Sequence, residues 1–218
     1  MTELTPTCGR LRLILGGTFD PLHWGHLRPA LNALSWLQAD ELRLLPSAQP
    51  PHRDYPGATA EQRLKMTELA TAEFPHVYAD DWELRQNRPS YTVQTLEELK
   101  QRWPQDTLVF LLGEDAIAKL NGWYQWQDLL NHAHFAILSR PDQAPTWQPE
   151  VTDFFANRWL TSPRELRRSA HGCAIRVANE TYPIAATTVR HRIQQQLPWE
   201  SLVPPAVAAF IQTEGLYR

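Results

Sequence analysis

Leu11-Arg12-Leu13-Ile14-Leu15-Gly16-Gly17-Thr18-Phe19-Asp20-Pro21-Leu22-His23-Trp24-Gly25-His26 is the stretch whose reading decides the fold. Its short apolar run stops abruptly at Gly16-Gly17, which predicts a buried strand followed by a tight turn. From Gly25 to Gln38, Leu27, Ala30, Leu31, Leu34 and Leu37 recur at helical spacing. Two glycines in the turn let the backbone approach a ligand with no Cβ in the way. A helix starting near His23 to Gly25 aims its free N–H groups and positive dipole end at the same space. His23 and His26, three residues apart, share one helix face. Two potential cations at a helix N-terminus point to an anionic ligand.

The same strand–helix alternation continues along the chain. Glu41 to Leu45 predicts a second strand, and Pro46 to Tyr55 a proline-rich loop. Thr59-Ala60-Glu61-Gln62 has the form of a capping box and predicts a helix through about Phe74. Further strands are expected at His76 to Ala79, Thr107 to Leu112, Phe135 to Leu138 and Ala174 to Val177. Helices are expected at Val93 to Trp103, Thr187 to Gln196 and Pro205 to Thr213. Asp142 to Gly172 has no clear period and reads as an insertion. The pattern predicts an α/β fold: a Rossmann-like, doubly wound parallel sheet with helices on both faces. One domain over residues 1–218 is expected, ending in a small helical subregion from about 184 to 218. In such sheets ligands bind beyond the carboxyl ends of the strands, so the polar residues just after each strand are the informative ones.

Composition narrows the classes. With 21 basic against 24 acidic residues the formal net charge is −3, which argues against a dedicated nucleic-acid binder. Any anionic ligand must then be held by local cations and helix ends. Two cysteines, Cys8 and Cys173, make neither a disulfide framework nor a metal-site spacing. No stretch has signal-peptide character or the roughly 20 apolar residues that span a bilayer, so a cytoplasmic location and no membrane partner are expected.

Gly16 to His26 resembles the signature of the HxGH nucleotidyltransferase superfamily, and within it bacterial nicotinate-nucleotide adenylyltransferase. The resemblance covers nearly the whole chain. Pro50-Pro51-His52-Arg53 is similar to that family's PPHK/R loop, and Pro89-Ser90-Tyr91-Thr92, Gly113-Glu114-Asp115, Trp123-Tyr124 and Ser139-Arg140-Pro141 match further positions. Ile184-Ala185-Ala186-Thr187-Thr188-Val189-Arg190 resembles the second signature, ISxTxxR, with Ala185 where a serine is common. The ending Gly215-Leu216-Tyr217-Arg218 is also typical.

The second signature has a physical logic of its own. Thr187 or Thr188 can cap a helix with Arg190 on its first turn, and a capped N-terminus with a guanidinium suits phosphate. What the resemblance implies goes further: AMP passes from ATP to nicotinate mononucleotide, giving nicotinate adenine dinucleotide and pyrophosphate. His26, His23 and Arg190 are then the expected catalytic residues. ATP would meet Gly16, Gly17, Thr18, Phe19, His23, His26, Gly113, Asp115, Arg140, Ile184, Thr187, Thr188 and Arg190. The mononucleotide would meet His52, Arg53, Tyr91, Thr92, Trp123 and Tyr124. Mg²⁺ is expected on the phosphates, with no ligand from the protein. Phosphopantetheine adenylyltransferases and cytidylyltransferases would share the histidine turn but not Pro50 to Arg53 or Trp123-Tyr124. A class I aminoacyl-tRNA synthetase fragment would need a KMSKS-like segment, which is missing, and a nucleotide sensor would not need His23, His26 and Arg190 intact.

Overall fold

The computed structural model describes residues 9–48, 57–86, 89–139, 146–180 and 182–218. Cys8, Pro50 to Arg53 (with His52) and Arg140-Pro141 lie outside the described residues. Six strands form one sheet in the order β3-β2-β1-β4-β5-β6: β1 Leu11–Gly17, β2 Glu41–Pro46, β3 Val77–Ala79, β4 Thr107–Gly113, β5 His134–Ser139 and β6 Ala174–Ala178. β1 pairs parallel to β4 with Leu11 opposite Thr107, β4 to β5 with Val109 opposite His134, and β5 to β6 with Phe135 opposite Ala174. That order is the Rossmann order, with the reversal between β1 and β4. Every residue of β4 from Thr107 to Leu112 is buried. Side chains on both of its faces are therefore covered, which is why the strand reads as an unbroken apolar run.

The helices are α1 Trp24–Trp36, α2 Ala60–Thr71, α3 Trp82–Arg85, α4 Thr92–Arg102, α5 Glu114–Ile117, α6 Pro149–Phe155, α7 Ala186–Gln194 and α8 Pro205–Glu214. The Thr59 and Gln62 capping box that opens α2 is formed in both directions. Three short helices did not register in the sequence. α3 and α5 have four residues each, too few for a periodic pattern. α6 lies inside the segment that showed no period, opened by Pro149 in its first turn.

The chain divides into two compact units: residues 1–15, 31–42 and 91–181, and residues 16–30, 43–90 and 182–218. In the first, Arg12 is buried at the start of β1, its guanidinium bonded to Asp106 and Glu41 and stacked 4.4 Å from the Trp103 ring centroid. In the second, α2 packs on α8 and β3. No helix among the described residues is long and apolar enough to cross a membrane.

Candidate active site

The turn after β1 is built around the two histidines. His23 ends the turn and its carbonyl accepts the His26 N–H at 2.9 Å, so His26 sits in the first turn of α1. The rings stack 3.7 Å apart at 25°, confirming the shared face expected from their spacing. Gly25 between them cannot carry a side chain. A Cβ there would lie 2.7 Å from the Ile184 carbonyl oxygen and 3.0 Å from the His23 ring. The close approach of Ile184, in the second signature, is thus a condition of the H-x-G-H spacing.

One expectation for this turn needs correction. His23 is 3% exposed, and burial lowers its pKa from 6.5 to about 4. It is neutral near pH 7, so the turn does not present a pair of imidazolium ions. Gly17 also makes room for a neighbouring side chain. A Cβ there would meet the Phe19 ring at 2.7 Å. Phe19 itself is buried and stands edge-on to His26 at 5.3 Å, so its side chain supports the imidazole.

The His23 shift has a consequence for stability. A group with a lowered folded pKa stabilises the fold above its unfolded pKa and loses that contribution as pH falls through the folded value. Between pH 6.5 and 4, His23 alone should remove roughly 3 kcal/mol of unfolding free energy. His134, also buried and shifted down by desolvation, falls in the same direction. The test is therefore a difference: urea unfolding of the wild type and of His23→Gln at pH 6.5, 5 and 4. The variant should lose less stability on acidification, and parallel curves would show that His23 is not held neutral.

The carboxylate inside this turn is as important as the imidazoles. Asp20 Oδ2 accepts the Gly57 N–H at 2.9 Å, and Oδ1 accepts the Ala58 N–H at 3.1 Å and the Tyr217 hydroxyl at 2.7 Å. Arg190 donates to the Asp20 backbone oxygen at 2.5 Å and lies 3.6 Å from Oδ2. Arg63, 1% exposed, donates to the carbonyls of Thr18 (2.8 Å), Ser47 (2.7 Å) and Ala48 (3.2 Å). Its guanidinium satisfies carbonyls just past the ends of β1 and β2, where the chain leaves the sheet.

Sequence reasoning missed Asp20, Arg63 and Tyr217, though each left a signal. Asp20 is an anion in a turn read as an anion site, a conflict that only local donors resolve. Arg63 occupies the buried phase of α2 with Met66, Thr67, Ala70 and Thr71. Tyr217 belongs to an ending noted as typical but given no task.

α7 begins one residue earlier than expected. Its N-cap is Ala185, without a side-chain bond, so neither Thr187 nor Thr188 caps the helix. Both stand inside the first turn and are exposed, and Arg190 is the fifth helical residue. Starting the helix at Ala186 leaves the threonines too far along to bond its first N–H groups.

In the other unit, Gly113 is the N-cap of α5, with open space where a Cβ would be, and Asp115 is exposed on the first turn. Glu114 points elsewhere and pairs with Arg176 at 2.9 Å. Arg176 lies 4.9 and 4.7 Å from the ring centroids of Trp147 and Trp159. The segment without a period thus supplies an aromatic clamp behind the Gly113–Asp115 turn. Tyr91, the N-cap of α4, packs its ring 4.8 Å from that of Tyr124, which is 50% exposed, and Trp123 is half-buried. The structure therefore brings together His23, His26, Phe19, Ile184 and Arg190 in one unit, and Tyr91 with Tyr124 in the other.

A family profile described as cytidylyltransferase-like matches residues 14–192. A protein of Aeromonas hydrophila named "Probable nicotinate-nucleotide adenylyltransferase" is 42% identical over 205 residues, 94% of this chain and 96% of the relative. One of Yersinia enterocolitica with the same name is 38% identical over the full length of both chains. Among solved structures, Plasmodium falciparum nicotinic acid mononucleotide adenylyltransferase complexed with NaAD superposes with a TM-score of 0.73. It covers 95% of this chain and 97% of its own at 16% identity, a likeness of fold.

Proposed function

The chain belongs to the nicotinate-nucleotide adenylyltransferases, within the cytidylyltransferase-like proteins, and from that premise we propose that it transfers AMP from ATP to nicotinate mononucleotide in the cytoplasm. The products are nicotinate adenine dinucleotide and pyrophosphate. The observation that carries this reading is the stacked His23–His26 pair on the first turn of α1, in the same compact unit as Arg190.

An oxygen of the acceptor phosphate attacks the α-phosphorus in line, the new P–O bond forms, and the bond to the bridging oxygen of pyrophosphate breaks. The obstacle is the approach of two anions, so positioning and charge stabilisation supply the catalysis. His26 donates to the α-phosphate oxygens as charge shifts there. Neutral His23 and the N–H groups at the start of α1 add donors without adding an ion. Arg190 grips triphosphate oxygens through its planar fork. Gly113 and Asp115 serve the adenosine, a carboxylate being a natural acceptor for ribose hydroxyls. Tyr91, Thr92, Trp123 and Tyr124 serve the pyridine ring of the acceptor. His52 and Arg53 are assigned to the mononucleotide, and Arg140 to ATP. Mg²⁺ accompanying ATP would be held by the phosphates and water rather than by the protein, and would shield the triphosphate charge.

The direct test measures pyrophosphate release with Mg²⁺ and ATP against nicotinate mononucleotide, phosphopantetheine and no acceptor. Release that requires the pyridine nucleotide supports the reading. Release with phosphopantetheine alone, or none with any acceptor, overturns it.

A further inference from the structure

We infer that Tyr217 is a positioning residue for this transfer: its phenol holds the Asp20 carboxylate and so sets how much of Arg190 is available to the triphosphate. The inference rests on the reading of Arg190 as a phosphate ligand.

The chain is turned back toward Asp20 by two left-handed residues. Gly215 ends α8 at φ 63°, and Tyr217 itself stands at φ 65°, a conformation a tyrosine rarely adopts. A non-glycine residue is kept there only when its surroundings over-determine it. Here the ring is buried and the hydroxyl donates to Asp20 Oδ1. Burial, with the adjacent carboxylate adding to it, pushes the phenol well above its usual pKa. The group is therefore a permanent donor at any working pH.

Asp20 collects donors from three other places in the chain: the amides of Gly57 and Ala58, and the guanidinium of Arg190. Tyr217 and Arg190 thus compete for the same negative charge. With the phenol bonded to Oδ1, the guanidinium lies 3.6 Å from Oδ2, and its shorter bond runs to the backbone oxygen of Asp20. That is a loose ion pair, from which a phosphate can draw the fork. Without the hydroxyl, Oδ1 keeps only the Ala58 amide. The carboxylate is then freer to rotate toward the guanidinium and retain it. The phenol spares Arg190 by sharing its counter-ion.

The test uses the full chain with Tyr217→Phe, followed by pyrophosphate release across ATP concentrations at saturating nicotinate mononucleotide. A hydrogen bond to a charged group carries roughly a tenfold effect, so KM for ATP should rise about tenfold. KM for the mononucleotide should stay within about twofold, because Arg190 is read as an ATP ligand. In the Arg190→Ala background the same substitution should add almost nothing, since the two act through one pathway. A variant with unchanged KM and only a lower melting temperature overturns the inference, as does an equal loss in both backgrounds. If Tyr217→Phe fails to fold, Asp20→Asn carries the question. It keeps an acceptor for the phenol but no charge for Arg190, so it should lower KM for ATP and leave that for the mononucleotide unchanged; a raised KM for ATP overturns the inference. Equal changes in both overturn the inference. A wild-type chain that transfers nothing removes both this idea and the reading beneath it. A wild type that turns over, with an Arg190→Ala defect and a silent Tyr217→Phe, removes this idea alone.

Discussion

His26→Ala should lower kcat by about 10²–10³-fold, the usual cost of removing one donor aimed at charge that develops in a transition state. The loss should fall on kcat and kcat/KM alike, because the interaction is made as the α-phosphorus changes geometry. The fold should survive. His26 is half-buried in the first turn of α1, where alanine is the best helix former, and its N–H bond to the His23 carbonyl is a backbone interaction. What the fold loses is the stack on His23 and the edge contact with Phe19, a modest packing defect. Steady-state pyrophosphate release, with a melting curve for each protein, separates the two effects. Retention of more than about a third of wild-type kcat, with the fold intact, would sink His26 as the catalytic donor.

A preference for nicotinate over nicotinamide mononucleotide, by orders of magnitude in kcat/KM, is the second large effect expected. The two acceptors differ only in a carboxylate against a neutral amide, so discrimination must come from donors or positive potential at one point. α4 offers them. It begins at Thr92 with Tyr91 as an N-cap that makes no side-chain bond, so its first N–H groups and dipole end are not occupied by a capping side chain. Pro89 to Gln94 contains no acidic residue that would welcome an amide, whose N–H₂ would face donors instead. The Tyr91–Tyr124 pair and Trp123 can stack on the ring and fix the angle at which the carboxylate arrives. The measurement is kcat/KM for both mononucleotides at saturating ATP and Mg²⁺. Equal values, or a preference for the amide, would refute the nicotinate assignment and leave adenylyl transfer standing. Trp123→Ala should weaken both acceptors together, since stacking does not distinguish them.

Much of this protein was legible in its order of residues because the signals are local. The apolar runs at Leu11 to Leu15 and Thr107 to Leu112 became β1 and β4, lengthened by one or two residues into their glycines. The Thr59/Gln62 box opened α2 as expected, since a capping box is complete within four residues. His23 and His26 met because helical geometry alone places residues three apart side by side. The alternation of strands and helices sufficed for a parallel, Rossmann-like sheet.

The tertiary structure decided what depends on distant partners. The neutrality of His23 follows from burial, which no spacing encodes. The Gly25 requirement is set by a carbonyl at Ile184, and the role of Arg176 by tryptophans at 147 and 159 in a segment without periodicity. Asp20 and Tyr217 are 197 positions apart, and only the folded chain makes them a hydrogen-bonded pair. Backbone pattern is a matter of neighbours along the chain, so sequence specifies it. The charge state and orientation of a site residue depend on what is packed around it, and that is known only when the chain has closed.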